Sequence, residues 1–261
     1  MIYAINYANN KFKKAQKYNT KTAYRCGVDK VFSFSPEDID AKFREKNKLI
    51  LNASRGNGYW LWKPYFIHRV MEQLEDGDCL IYADAGLYFQ NNVQLFFDKL
   101  VKENKTALCQ STGYYEYQYT KRDTFVYMGM DTPDMKNSEQ IGGTVVVVVN
   151  QDNRKLVNEW LYYACDPRCI TDEPNTCGKD NYEGFIDHRH DQSIYSLLAK
   201  KYGLPLGKLY DDFSKRRKST ALLCYHHSVY GSKLSIEFHR KVDPYWWQLK
   251  KMVKRILRRN A

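Results

Sequence analysis

The sequence has no long hydrophobic run, and none approaches the roughly 18 apolar residues that a membrane-spanning helix needs. Met1 leads almost directly into the strand-like run 2–5, without the regions of a secretory signal peptide. The seven cysteines are odd in number and irregularly spaced, which argues against a disulfide framework. We therefore expect a cytoplasmic protein whose thiols are free.

A zinc site is the alternative use for some of these cysteines. Cys165, Cys169 and Cys177 precede His188 and His190, and both residue types bind zinc. Their spacing fits no common zinc knuckle. The sequence leaves this alternative open beside free thiols.

Internal repeats and low-complexity linkers are also lacking. The chain has 261 residues, of which 43% are hydrophobic, enough for the core of one domain. We predict one domain over residues 1–240 and a basic amphipathic helix over residues 241–261.

Acidic residues are scarce at the end of the chain, where residues 240–259 hold eight Lys or Arg and one Asp. Aromatic and basic residues alternate there as in a helix at a membrane surface, so we expect membrane contact through residues 243–261 on the cytoplasmic face. A terminal helix packed on the domain is the alternative.

The net charge of +11 also permits a nucleic-acid-binding protein. Because the charge is concentrated in the tail and no recognised nucleic-acid-binding motif is present, we expect no nucleic acid partner.

The order of elements predicts an α/β fold. Strand and helix patterns alternate from the start of the chain, as in a parallel sheet with crossover helices. Predicted strands cover residues 2–8, 31–34, 79–83, 106–110 and 145–149. Predicted helices cover residues 10–25, 64–74, 93–104, 152–164, 191–201 and 243–259, and residues 55–58 are expected to be a flexible loop. Five consecutive valines indicate a strand buried on both faces.

Asp84 follows the predicted strand 79–83 and is succeeded by the small residues Ala85 and Gly86. Ligands of open α/β sheets bind at such strand ends. A carboxylate there is suited to a hard divalent cation that neutralises a diphosphate, so Asp84 is a candidate ligand of Mn²⁺ or Mg²⁺. An ordinary turn aspartate is the alternative.

Two further motifs place small and polar residues at element ends. Gly142 and Gly143 precede the valine strand, where glycine allows a sugar to approach the backbone. Asp191 and Gln192 open a predicted helix, and their side chains can hydrogen-bond sugar hydroxyls or stabilise a developing oxocarbenium ion. The alternatives are a tight turn that merely feeds the core strand and a routine helix N-cap at Asp191.

Other polar and aromatic residues complete the predicted site. Arg55 and Lys63 flank the aromatic stretch 59–62. They are predicted to contact the diphosphate-bearing ligand, which is called the donor below. One of the two tryptophans in that stretch is expected to anchor the next helix in the core. A second ligand, called the acceptor below, is predicted to contact Tyr115, Tyr117 and His190, because tyrosine combines an apolar face with a polar tip.

The late stretch 226–233 contains His227 and Lys233. A neutral histidine is a common metal ligand, and a lysine ammonium can pair with phosphate. We predict that His227, with His226 as a near alternative, binds the metal and that Lys233 contacts the donor. A surface histidine pair is the alternative.

The order of these motifs resembles glycosyltransferases of the GT-A fold, and is most similar to the retaining galactosyl- and glucosyltransferases of the glycogenin-like family. The resemblance extends over roughly residues 1–235 in layout and implies a Rossmann-like, mostly parallel sheet flanked by helices. It also implies a nucleotide-sugar donor, a divalent metal and retention of anomeric configuration. The family's Asp-x-Asp pair is matched only by Asp84, because Tyr82 or Ala83 stands where the first aspartate would be.

The predicted function is therefore metal-assisted transfer of a hexose or pentose from a nucleotide-diphosphate sugar to a glycan or lipid-linked acceptor, as in polysaccharide biosynthesis. Asp191 and Gln192 are the catalytic candidates. If the reaction inverts configuration, Asp191 is the candidate general base. A catalytically inactive sugar-binding module is the alternative, because the second aspartate is missing.

Overall fold

Four strands make the central sheet of the computed structural model, which describes residues 1–211 and 222–225. Their order is β2 (Lys30–Phe34), β1 (Ile2–Tyr7), β3 (Cys79–Tyr82) and β7 (Val145–Val148). Strand β1 pairs in parallel with β2 and β3, and β7 runs antiparallel to β3. The predicted α/β class, with a mixed and mostly parallel sheet flanked by helices, is confirmed.

The other strands are short. They are β4 (Leu87–Phe89), β5 (Ser111–Tyr115), β6 (Glu139–Ile141), β8 (Tyr210–Asp211) and β9 (Leu223–Tyr225). Strand β9 pairs antiparallel with β4 and parallel with β8, and β5 pairs antiparallel with β6.

Twelve helical segments surround the strands in the described part of the chain. They are α1 (Lys13–Arg25), α2 (Ala41–Lys46), α3 (Lys48–Leu51), α4 (Gly56–Tyr59), α5 (Trp62–Met71), α6 (Val93–Lys102), α7 (Glu116–Tyr119), α8 (Arg122–Tyr127), α9 (Pro133–Lys136), α10 (Gln151–Ala164), α11 (Pro167–Ile170) and α12 (His190–Lys201). Two 3₁₀ turns cover Asn10–Phe12 and Pro36–Asp38.

The valine strand β7 is buried on both faces, as its sequence predicts. Val145 and Val147 belong to a core that includes residues of α5, α10 and α12. Val146, whose side chain points to the other face, belongs to a second core with residues of α1 and α6. The sheet is therefore covered on both sides, and only its edges and strand ends are open to ligands.

The predicted strand at 106–110 is wrong. Ala107 forms a single bridge with Val147, and Cys109 forms another with Leu206. The hydrogen bonds of this segment are divided between β7 and the segment around Pro205, so no continuous ladder with one partner develops.

No helix in the described residues is long and apolar enough to cross a membrane. The predicted tail helix, its membrane contact, and the predicted sites His227 and Lys233 all lie outside the described residues, as does His226. They stay predictions.

Candidate functional site

Three strands bring their ends to one edge of the central sheet. Strands β1 and β3 finish there at Tyr7 and Tyr82, and Asp84 follows two residues later. Because β7 runs the opposite way, its first residue Val145 pairs with Tyr82, and Gly143 precedes it on the same edge. This is the carboxyl edge at which open α/β sheets bind ligands.

Lys63, at the start of α5, links the side chains gathered at this edge. Its ammonium lies 2.8 Å from Asp191 Oδ2 and 3.9 Å from Asp84 Oδ1. A Cβ atom on Gly143 would lie 2.9 Å from the same Nζ atom. Lys63, Asp84, Gly143 and Asp191 are called the Lys63 cluster below. Four residues that the sequence singled out separately are thus brought together.

Burial governs the charge state of the Lys63 cluster. The side chains of Lys63 and Asp191 are only 5% and 3% exposed. Burial raises the pKa of Asp191 to about 6, the positive charge of Lys63 opposes that rise, and the negative charge of Asp84 adds to it. Asp191 Oδ2 has no aligned hydrogen-bond donor although the ammonium is close. Lys63 thus favours an ionised Asp191, as does the backbone N–H of Gln192.

Gln192 lies against the same cluster. Its Cβ is 3.8 Å from the position of a Cβ on Gly143. Its amide donates to Gln140 Oε1 at 3.1 Å, and the buried Gln140 donates in turn to the Tyr119 carbonyl at 3.3 Å. The sequence indicated Gln192 directly, but it showed Gln140 only as the beginning of the glycine turn.

Helix α12 presents Asp191 to Lys63 because the helix begins one residue earlier. The N-cap position is Arg189, so the alternative of a routine cap at Asp191 is wrong. His190 has a positive φ of 50°. The indole of Trp160 donates to the Asp191 carbonyl at 2.9 Å and fixes the backbone there.

The predicted flexible loop before α5 is an ordered left-handed turn. Residues 56–60 all have positive φ, between 50° and 95°. Such a conformation costs roughly 1–2 kcal/mol per non-glycine residue. The indole of Trp62 donates to the Gly56 carbonyl at 2.9 Å, and the Trp60 ring stacks on His190 with centroids 5.4 Å apart. These contacts hold the turn, which delivers Lys63 to the cluster.

Two tyrosines that the sequence did not indicate support the site. Tyr82 donates to Asp84 Oδ1 at 2.6 Å. Tyr7 stacks on the buried Trp62, with centroids 3.7 Å apart, and its hydroxyl contacts the Asn57 amide. Trp62 is therefore the tryptophan that anchors α5. Both tyrosines end strands at the ligand edge, which is the signal that could have revealed them.

Two predicted ligand contacts are engaged within the protein. Arg55 pairs with Asp172 at 3.0 Å and Asp187 at 2.6 Å. His190 is buried, and its Nδ1 lies 2.8 Å from the Ile170 carbonyl. As placed, neither side chain is free to meet a ligand.

The tyrosine segment is more accessible. Tyr115 is 45% exposed, and its ring stacks on that of Tyr117 with centroids 5.8 Å apart. Gly142, by contrast, is fixed through its backbone N–H, which donates to the Gln110 carbonyl at 2.9 Å. The two tyrosines offer flat apolar faces of the kind that suit sugar rings.

The zinc alternative is not found. Residues 1–211 and 222–225 contain no group of three or more His, Cys, Asp or Glu side chains arranged to hold a metal. Both ring nitrogens of His188 are used, since Nδ1 accepts from the Lys121 N–H and Nε2 lies 2.9 Å from the Cys169 carbonyl. The pKa of His188 is held well below its usual value by burial.

Only one of the two predicted ligands of Mn²⁺ or Mg²⁺ lies within the described residues. Asp84 is 27% exposed and can offer a carboxylate oxygen. Asp191, the other carboxylate of the cluster, is buried against Lys63, and the predicted ligand His227 is outside the described residues. The described side chains therefore do not fit a divalent ion by themselves.

No protein-family model matches the chain, and no curated protein matches it significantly. Solved structures that match it include glycosyltransferases. Mouse xyloside xylosyltransferase 1 is 9% identical with a TM-score of 0.45, over 86% of this chain and 97% of that one.

A glycosyltransferase involved in glycosylation of the major capsid of PBCV-1 is 10% identical with a TM-score of 0.48, over 92% and 97% of the two chains. Galactosyltransferase LgtC, in complex with donor and acceptor sugar analogs, is 11% identical with a TM-score of 0.43, over 85% and 86%. These values are too low to transfer any residue's role to this chain.

Proposed function

We propose that the protein is a glycosyltransferase that moves a sugar from a nucleotide-diphosphate sugar to a glycan or lipid-linked acceptor. One observation carries the proposal, namely the Lys63 cluster at the carboxyl edge of the sheet. At this edge a partly exposed carboxylate, a glycine and a buried ion pair lie next to one another. The resemblance of the sequence motifs to GT-A glycosyltransferases supports the same reading.

In the proposed reaction an acceptor hydroxyl attacks the anomeric carbon, the bond from that carbon to the diphosphate oxygen breaks, and the hydroxyl proton passes to the departing diphosphate. Positive charge develops on the sugar, and the Asp191 carboxylate stabilises it electrostatically. Lys63 keeps that carboxylate ionised and oriented. Gly143 leaves room for the Lys63 ammonium beside the backbone, and Gln192 hydrogen-bonds a sugar hydroxyl.

The proposed donor contacts are Arg55, Lys63, Asp84, Gly142, Gly143 and Lys233, and the proposed acceptor contacts are Tyr115, Tyr117 and His190. Arg55 would have to exchange its present carboxylate partners for a donor phosphate, and the buried His190 would have to be uncovered from Trp60. We further propose retention of configuration and membrane contact through residues 243–261.

A divalent ion belongs to the proposal for an electrostatic reason. The Lys63 cluster has two carboxylates and one ammonium, so a diphosphate that approaches Asp84 meets net negative charge. Mn²⁺ or Mg²⁺ on Asp84 and His227 would neutralise the diphosphate when bound.

A melting experiment with a panel of nucleotide-sugars, each with and without Mn²⁺, tests donor binding. A ligand at about a hundred times its dissociation constant adds roughly 2.7 kcal/mol of stability. For a domain of this size we expect the melting temperature to rise by roughly 5–10 °C with one donor. The shift should be larger with Mn²⁺, and Asp84→Asn should remove that difference. A flat response to the whole panel contradicts the proposal.

A further inference from the structure

Arg189 has a guanidinium group with no anionic partner among residues 1–211 and 222–225. Its Cζ lies 4.0 Å from the centroid of the Tyr119 ring and 5.2 Å from that of Tyr114. None of its guanidinium N–H groups donates to an acceptor within the described residues. The side chain is half-buried, so it is held in place by the two rings.

Other arginines of the fold are used differently. Four of them are paired with carboxylates, namely Arg55, Arg122, Arg154 and Arg168. The two aspartates nearest to Arg189 in sequence are also taken, because Asp187 pairs with Arg55 and Asp191 with Lys63. Neither of these two aspartates therefore compensates the positive charge of Arg189.

Arg189 is also close to the catalytic candidates. Its backbone carbonyl accepts from the Gln192 N–H at 3.0 Å, and its own N–H donates to the Tyr119 carbonyl at 3.1 Å. The same Tyr119 carbonyl accepts from Gln140, which is bonded to Gln192. The backbone of Arg189 thus belongs to the network that positions Gln192, and its guanidinium lies over the ring of Tyr119 beside that network.

The tyrosines beside Arg189 leave ring faces for a ligand. Tyr114 is 41% exposed and meets Tyr119 edge to face, with centroids 5.1 Å apart. A guanidinium stacked on aromatic rings keeps its planar fork of donors, which matches a carboxylate or phosphate in two parallel hydrogen bonds. An exposed ring next to this fork suits a sugar that carries such a group.

We infer that Arg189, with Tyr114 and Tyr119, forms a binding site for an anionic sugar, a uronate or a sugar phosphate, on the acceptor side of the catalytic cluster. That this anionic sugar is the acceptor rests on the proposed sugar transfer. The existence of an anion-binding site rests on the geometry of Arg189 alone. The acceptor class is then a charged glycan and not a neutral one.

The test uses the full chain and three probes: methyl glucuronide, glucose 6-phosphate and neutral methyl glucoside. Dissociation constants are measured by ligand-observed NMR titration, which requires neither donor nor turnover. We expect at least one anionic probe to bind roughly tenfold or more tightly than methyl glucoside, because a charge-assisted bidentate pair is the added interaction. Which anion is preferred distinguishes a carboxylate acceptor from a phosphate acceptor.

Arg189→Gln should remove that preference, while Arg189→Lys should keep part of it because the charge remains without the planar fork. Arg25→Gln, which removes an exposed arginine at the end of α1, is the matched control and should leave the preference unchanged. Equal binding of all three probes, no saturable binding of either anion, or an unchanged preference in Arg189→Gln overturns the inference.

Donor binding separates this inference from the proposed function. The melting shift with the nucleotide-sugar should persist in Arg189→Gln. If the variant loses donor binding instead of the anion preference, Arg189 serves the diphosphate and the inference is wrong. If the donor panel fails while the anion preference depends on Arg189, the anion site stands and the transferase proposal falls.

Discussion

Asp191→Asn is expected to reduce the rate of sugar transfer by about 10²–10³-fold, because it removes a charge that stabilises the transition state. The fold should survive. Burial raises the pKa of Asp191 to about 6, so its negative charge is unfavourable in the folded protein at neutral pH and asparagine removes that cost. The measurement is release of nucleoside diphosphate from the donor, with the melting temperature recorded on the same sample.

Asp123→Asn is the matched control, since it also neutralises a buried aspartate. Burial alone would raise the pKa of Asp123, but hydrogen bonds from Cys177 and Thr176 outweigh it and the pKa is lowered. The ionised form of Asp123 is thus stabilising above its unfolded pKa, and this contribution is lost as the pH falls. Asp123→Asn should lower stability with little effect on the rate per folded molecule. A full rate in Asp191→Asn would remove Asp191 from the mechanism.

Lys63→Met is expected to move the acid limb of the pH–rate profile to higher pH. The rate should depend on ionised Asp191, so in the wild type it should rise with pH through a midpoint of about 6. Lys63 lowers the pKa of Asp191 by its positive charge, and without it the pKa rises further. At neutral pH the variant should lose about 10²-fold or more in rate.

Measured without divalent ions, Asp84→Asn should move the same midpoint in the opposite direction, because the charge of Asp84 raises the pKa of Asp191. Gly143→Ala provides a third variant, since its Cβ would displace the Lys63 ammonium. It should act like Lys63→Met with little loss of stability, because the displaced atom ends a flexible side chain. Gly207→Ala, which crowds the side chain of Leu108 instead, is the matched control. A midpoint that stays the same in all variants would contradict the role given to Lys63.

The parts of the site that lie at strand ends could be predicted from the sequence. Asp84 and Gly143 adjoin apolar runs that had to be strands, and the ends of neighbouring strands meet at one edge. Asp191 was found because the beginning of a helix is also recognisable locally. The prediction that the valine strand is buried on both faces was confirmed for the same reason, since its pattern is local.

The side-chain partners could not be predicted, because they depend on contacts between distant segments. Arg55 was expected at the donor, but its carboxylates are 117 and 132 residues away in sequence. Lys63 was expected to face phosphate, yet the left-handed turn before it directs the ammonium to the buried Asp191. His190 is covered by Trp60, which nothing in the local pattern shows.

The most direct test of sugar transfer is to incubate the protein with the nucleotide-sugar that raises its melting temperature and to measure release of nucleoside diphosphate, with anionic and neutral glycan acceptors and with water alone. The account predicts release in step with appearance of the sugar on an acceptor, and loss of both in Asp191→Asn. A donor that binds but stays intact with every acceptor would instead identify an inactive sugar-binding module and contradict the proposed transfer.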